Sequence, residues 1–187
     1  ESIASRNNSL LLLESIYGNM GVCMHVTKDY KKAYELYEKA LEISLKVKHS
    51  DTRFLWILNL ALLGVESKQI ENIDHYLDMA REELKNSKIS ERWIDIEQIA
   101  ANCAFLQKDY IKCLAVSKKV LDEAEKRSET EIYYETLPYY AGSMILTGGG
   151  NGHELLKKAE TWAEEKKSEN VKNNIEDVRR VLNSPDR

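Results

Sequence analysis

Small residues return every 40 positions along this chain: Gly21, Ala61, Ala101 and Ala141 share one phase. Lys28-Asp29-Tyr30 recurs as Lys108-Asp109-Tyr110, with Lys68 in register between them. Asn19 repeats at Asn59, Tyr37 shares a phase with Leu77, and Ala40 shares one with Ala80 and Val120. A fixed period of this length is the mark of stacked supersecondary units, none of which can bury its apolar face alone. Four units fill residues from about 10 to 168. In the fourth the second helix is out of step, because Ala159 lies one residue early.

The units are helical. Only 2 prolines and 8 glycines occur in 187 residues, and runs of alternating polarity are absent, so the expected fold class is all-α. Residues 1–8 are polar and expected to fray. Helix pairs follow at about 9–48, 51–86, 89–127 and 130–167, and 169–187 holds a capping helix and a tail. Asp29, Asp51, Ser90 and Asp109 stand where helices should open. The second pair's second helix is expected from about Gln69. Pro138 predicts either a helix that starts near Leu137 or one bent there. In the last helix Val171, Ile175, Val178 and Leu182 form one apolar stripe, which suits a cap.

The charge of -4 and the alternation of lysines with acids give no basic stripe, which argues against nucleic acid as a partner. No apolar run reaches the ~20 residues of a membrane span, and no signal peptide is visible. Cys23, Cys103 and Cys113 lack CxxC spacing and read as buried reduced thiols, pointing to the cytoplasm. The chain opens with Glu rather than Met, which leaves room for further sequence before it.

The first unit resembles a tetratricopeptide repeat. Tyr17, Met20-Gly21 and Met24 match the family's first helix, and Ala33, Tyr37 and Ala40 match the small, aromatic and small positions of its second. Leu45 stands where the family often has proline. Later units keep Leu60-Ala61 with Ala80, then Ala100-Ala101, then Tyr140-Ala141, while Gly64 and Ile73 depart from the pattern. A 40-residue unit exceeds the usual ~34, but the phasing of small residues favours this family over HEAT or armadillo arrays. The resemblance implies a right-handed α–α superhelix of antiparallel helix pairs. The first helix of each pair would line a concave groove that takes a peptide or a partner helix.

The family's groove positions fall on Ser15, Gly18 and Val22, then Leu55, Leu58 and Leu62. Further on they fall on Asp95, Gln98, Asn102 and Phe105, and then on Glu135 and Gly142. Asn19 and Asn59 lie one residue beyond. An asparagine amide donates and accepts at once, so Asn19, Asn59 and Asn102 are the candidate polar contacts to a peptide backbone. Leu55, Leu58, Leu62 and Phe105 would form an apolar floor, with Asp95 and Gln98 beside it. For all of these, ordinary core packing and bonding between repeats is the competing reading. The family's carboxylate clamp is missing, so a basic or hydrophobic segment suits the groove better than a C-terminal tail.

Catalysis finds no support. His25, His49, His75 and His153 form no HxxxH or HExxH pattern, and no histidine stands at metal-ligand spacing from a cysteine. The Gly148-Gly149-Gly150-Asn151-Gly152 run lacks the Lys-Ser/Thr of a phosphate loop. The expected function is a scaffold that binds a protein or peptide, without metal, cofactor or membrane, and with a homodimer left open. The alternative is the sensing domain of a larger bacterial transcriptional regulator or signalling protein.

Overall fold

The structure, a computed structural model, describes residues 3–47, 52–85 and 90–184. These residues form α1 (Ile3–Val26), α2 (Tyr30–Lys46), α3 (Arg53–Ser67) and α4 (Ile73–Lys85). After a 3₁₀ turn at Ser90–Arg92 come α5 (Trp93–Leu106), α6 (Tyr110–Arg127), α7 (Thr130–Leu146), α8 (Gly152–Lys166) and α9 (Glu169–Leu182). Among the described residues there is no strand, and no helix is long and apolar enough to cross a membrane. The chain divides into two compact units, Glu1–Arg92 and Trp93–Arg187.

Several helix boundaries differ from the sequence reading. Residues 3–8 are helical rather than frayed, because α1 starts at Ile3. Helix α4 starts at Ile73, after a turn in which Ile73 N–H donates to the Ile70 carbonyl. Lys48 to Asp51, the expected end of α2 and cap of α3, lie outside the described residues. Thr52 holds the N-cap position of α3 without capping it through its side chain.

One backbone closure ends α1, α3, α5 and α7 at 40-residue intervals, and it ends α6 and α8 as well. Asp29 N–H donates to Met24 O at 2.9 Å, Gln69 to Gly64 at 3.0 Å, Asp109 to Ala104 at 2.9 Å and Gly149 to Met144 at 2.6 Å. The residue just before each donor is left-handed: Lys28 (φ 60°), Lys68 (62°), Lys108 (63°) and Gly148 (84°). This is the Schellman closure, which satisfies carbonyls that a helix end leaves open. The recurring lysine therefore marks a turn position. Asp29 and Asp109 then cap the following helices, accepting from Lys32 N–H at 3.3 Å and Lys112 N–H at 3.0 Å. In the glycine run only Gly148 answers a demand on φ. Gly152 answers a demand on space, since a methyl there would lie 2.6 Å from Ile145 Cγ1.

The second helix of each pair buries residues at spacings of four, three and four. These are Ala33, Tyr37, Ala40 and Ser44 in α2, and Ile73, Leu77 and Ala80 in α4. In α6 they are Cys113, Ser117, Val120 and Ala124, and in α8 Gly152, Leu156, Ala159 and Ala163. Within the first unit, Gly21 gives way to the Tyr37 ring, since a methyl there would lie 2.7 Å from it. Gly18 gives way to Trp56, at 2.3 Å.

Within the second unit α9 packs on α7 and α8, and Val171, Ile175, Val178 and Leu182 are buried as their stripe predicts. Helix α7 starts at Thr130 and continues through Pro138, so the start near Leu137 is not what occurs. Proline has no N–H to offer the Tyr134 carbonyl. At the neighbouring carbonyl, Glu135 O, the Asn174 amide donates at 2.9 Å and supplies a donor from α9.

Three outcomes follow. Gly21→Ala should lower stability in urea by about 1–3 kcal/mol, the usual cost of overpacking. Lys68→Gly should raise it by about 1 kcal/mol, because glycine escapes the left-handed penalty. The third concerns Asp29, whose carboxyl is held below its ordinary range by its bond to Lys32. A depressed folded-state pKa gives stability that is present above the unfolded value of 3.8 and lost as pH falls through the folded one. The gap in melting temperature between wild type and Asp29→Asn should therefore close on acidification in that window; a gap that persists at lower pH would refute the link.

Candidate functional site

In the first unit α1 and α3 run parallel, pinned at both ends. Near the start Glu14 is fully buried, and its Oε1 accepts from Trp56 Nε1 at 2.8 Å and from the Thr52 hydroxyl. Near the end His25 Nε2 lies 3.1 Å from Glu66 Oε2, and its Nδ1 lies 3.3 Å from the Tyr37 hydroxyl. Burial, aided by the nearby Glu66 and Cys23, pushes the Tyr37 hydroxyl up to about 12, so it stays protonated beside Nδ1.

Interpolating between these pins, which join residues 38 to 42 apart, puts Asn19 at about the height of Asn59 and Val22 at about that of Leu62. The two rows are open to solvent along their length: Val22 is 39% exposed, Val26 79% and Leu55 37%. Asn19 is exposed, and Asn59 and Leu62 are half-buried. Neither asparagine amide makes a hydrogen bond among the described residues. Leu58, expected in the groove, is 6% exposed and belongs to the core, one helical step away from the Leu55–Asn59–Leu62 row. Gly18 is covered by Trp56, and the Ser15 hydroxyl bonds back to the Leu11 carbonyl at 3.0 Å. The surface thus has an apolar floor and two amides free to pair with a backbone.

In the second unit the corresponding residues are occupied. Phe105 is fully buried, its ring 5.2 Å from that of Tyr139, so it is core rather than floor. Asn102 is 6% exposed, too deep to reach a peptide, and its Oδ1 has no hydrogen-bond partner. Gln98 donates to Glu135 Oε2 at 3.0 Å, and Asn170 donates to Glu135 Oε1 at 3.0 Å. Tyr139 bridges on to Asn174 and Asp177 at 3.2 and 3.3 Å. Asp95 is half-buried and also engaged. Polar capacity here is spent between helices, which is the competing reading for Gln98. Gly142, another groove position, instead admits Val178, since a methyl there would lie 2.6 Å from its Cγ1.

Two features escaped the sequence reading. Glu14 looks like any helix-surface acid in Leu11-Leu12-Leu13-Glu14-Ser15, and only its spacing of four from Gly18 hinted that it faces a neighbour. Cys23 is exposed, against the expectation of three buried thiols, whereas Cys103 and Cys113 are buried. Burial pushes the Cys113 thiol up, which leaves it inert at neutral pH. Among the described residues no group of three or more His, Cys, Asp or Glu side chains could hold a metal ion. No protein-family model, curated protein or solved structure matches the chain.

The pin at Glu14 gives a direct test. Trp56→Phe removes the indole donor and leaves the buried carboxylate short of one bond, so urea denaturation should show a loss of about 1–3 kcal/mol. Trp93→Phe, at a half-buried site over Arg127, should cost less.

Proposed function

We propose that this chain is a non-catalytic scaffold of tetratricopeptide-like helix pairs, solenoid repeats of the α–α superhelix kind. It binds an extended peptide or a partner segment along the α1–α3 rows of its first unit. The recurrence of one turn and one buried pattern every 40 residues supports the repeat reading. One observation carries the binding reading: Asn19 and Asn59 lie level on parallel helices, unbonded, among the exposed apolar side chains Val22, Leu55 and Leu62. An extended backbone offers N–H and C=O groups that such amides can meet together, while the apolar rows take alternate side chains. No lysine or arginine lies in the rows, so the preferred segment is hydrophobic or basic rather than an acidic tail.

Selection from a displayed library of random linear peptides tests this. Peptides enriched on the wild type should bind Asn59→Ala and Val22→Asp about tenfold or more weakly, about 1.4 kcal/mol. Helix content and melting temperature should stay close to wild type. Asn102→Ala should leave the affinity unchanged, because that side chain is buried. If no peptide is enriched, or if Asn59→Ala and Val22→Asp bind normally, the rows are not a binding surface.

A further inference from the structure

A second apolar face lies on the first unit, adjoining the binding rows at Asn19. On α1, Leu12, Leu13, Ile16 and Met20 are exposed at 64%, 39%, 45% and 49%, and Cys23 is exposed beside them. At 100° per residue these five occupy one contiguous stripe. The stripe borders a groove of about 490 Å³ between α1 and α2, lined in part by Met20, Cys23 and Leu36 and edged by Lys32, Glu35 and Lys39.

We propose that this face is where a second copy of the chain docks, with α1 of one copy lying in the α1–α2 groove of the other. Three properties point to that occupant. First, the stripe carries no charge. From Asn7 to Val26 the only acidic or basic side chains are Glu14, which is buried, and His25, which is held by Glu66 and Tyr37. A helix that fits beside it must itself be apolar and uncharged over about four turns, and α1 is such a helix. Second, the rim carries both signs, Lys32 and Lys39 with Glu35 between them, so in a two-fold pair each copy's Glu35 can meet a lysine of the other. A uniformly acidic or basic partner would meet repulsion at part of that rim. Third, the size is right. A standard interface buries about 800 Å² per partner, a little over half of it apolar, and the stripe supplies on the order of 400 Å² of that. Methionine and cysteine at the centre suit a groove that must repack around an incoming helix.

The two surfaces adjoin on α1, where Asn19 also lines the α1–α2 groove, so the peptide rows are tested through Asn59 on α3 and the dimer through Ile16. Sedimentation equilibrium of the full chain should show a concentration-dependent dimer. Ile16→Lys should weaken it at least about tenfold while helix content and melting temperature stay unchanged. A readout that needs no substitution is alkylation of Cys23 by iodoacetamide, which should slow as the chain concentration rises. Cys103 and Cys113, both buried, leave Cys23 as the accessible thiol. A chain that remains monomeric at every concentration, with Cys23 equally reactive throughout, overturns the proposal. So does a dimer unaffected by Ile16→Lys in which Cys23 stays fully reactive. A labelled peptide of residues 9–26 that binds a monomeric chain would also overturn it, since the groove would then accept a helix without pairing two copies. None of these three results touches library peptides held by Asn59.

Discussion

Two aromatic rings lie where two glycines have no side chain. Tyr37 covers Gly21 and Trp56 covers Gly18, each so close that a methyl would collide. The rest of the first unit follows from these contacts. Tyr37 fills the space between α1 and α2 and reaches His25, and the two rings themselves stack at 6.4 Å between centroids. Trp56 brings α3 against α1 closely enough for its indole N–H to meet a carboxylate that has left water altogether. A buried acid is tolerable only when hydrogen-bonded donors surround it, so Glu14 makes the position of α3 specific as well as close.

The two units use their first helices differently, and the difference is one of hydrogen-bond economy. In the second unit a carboxylate, Glu135, stands between two amides, Gln98 and Asn170, and accepts from both. Asn174 adds a further bond from α9, donating to the Glu135 carbonyl. Gln98, Asn170, Asn174 and Tyr139 are thereby engaged, while Asn102 Oδ1 is buried without a partner among the described residues. In the first unit the equivalent rows hold valine, leucine and asparagine, which have no acid to gather around. Their amides stay free, and the apolar groups beside them stay partly in water. An unspent donor–acceptor pair on an apolar surface can give up bulk water for a peptide backbone at little loss.

Much of this was legible in the residues. Helix content, the order of the helix pairs, the buried α9 stripe and the caps at Asp29 and Asp109 all follow from spacing and local chemistry. Exposure was not legible in the same way. Asn59 and Asn102 are both asparagines on helices with apolar neighbours, yet one is half-open and the other buried. Leu55 and Leu58 lie three residues apart within one turn, and only the direction of α3 against α1 separates surface from core. Phe105 reads as a floor residue until Tyr139 is seen against it. Cys23 resembles Cys103 in sequence and differs in what lies over it.

What the sequence determined by itself is the period: small residues every 40 positions, with the Lys-Asp-Tyr turn and its cap returning at 28–30 and 108–110. Those features depend on interactions within a few residues or one helix pair, so local chemistry is enough to specify them. What only the tertiary structure decided is which helix faces are covered. Burial depends on the angle and height at which distant segments meet. For α1 that was settled by the fit of two rings over two glycines and of one acid beneath an indole.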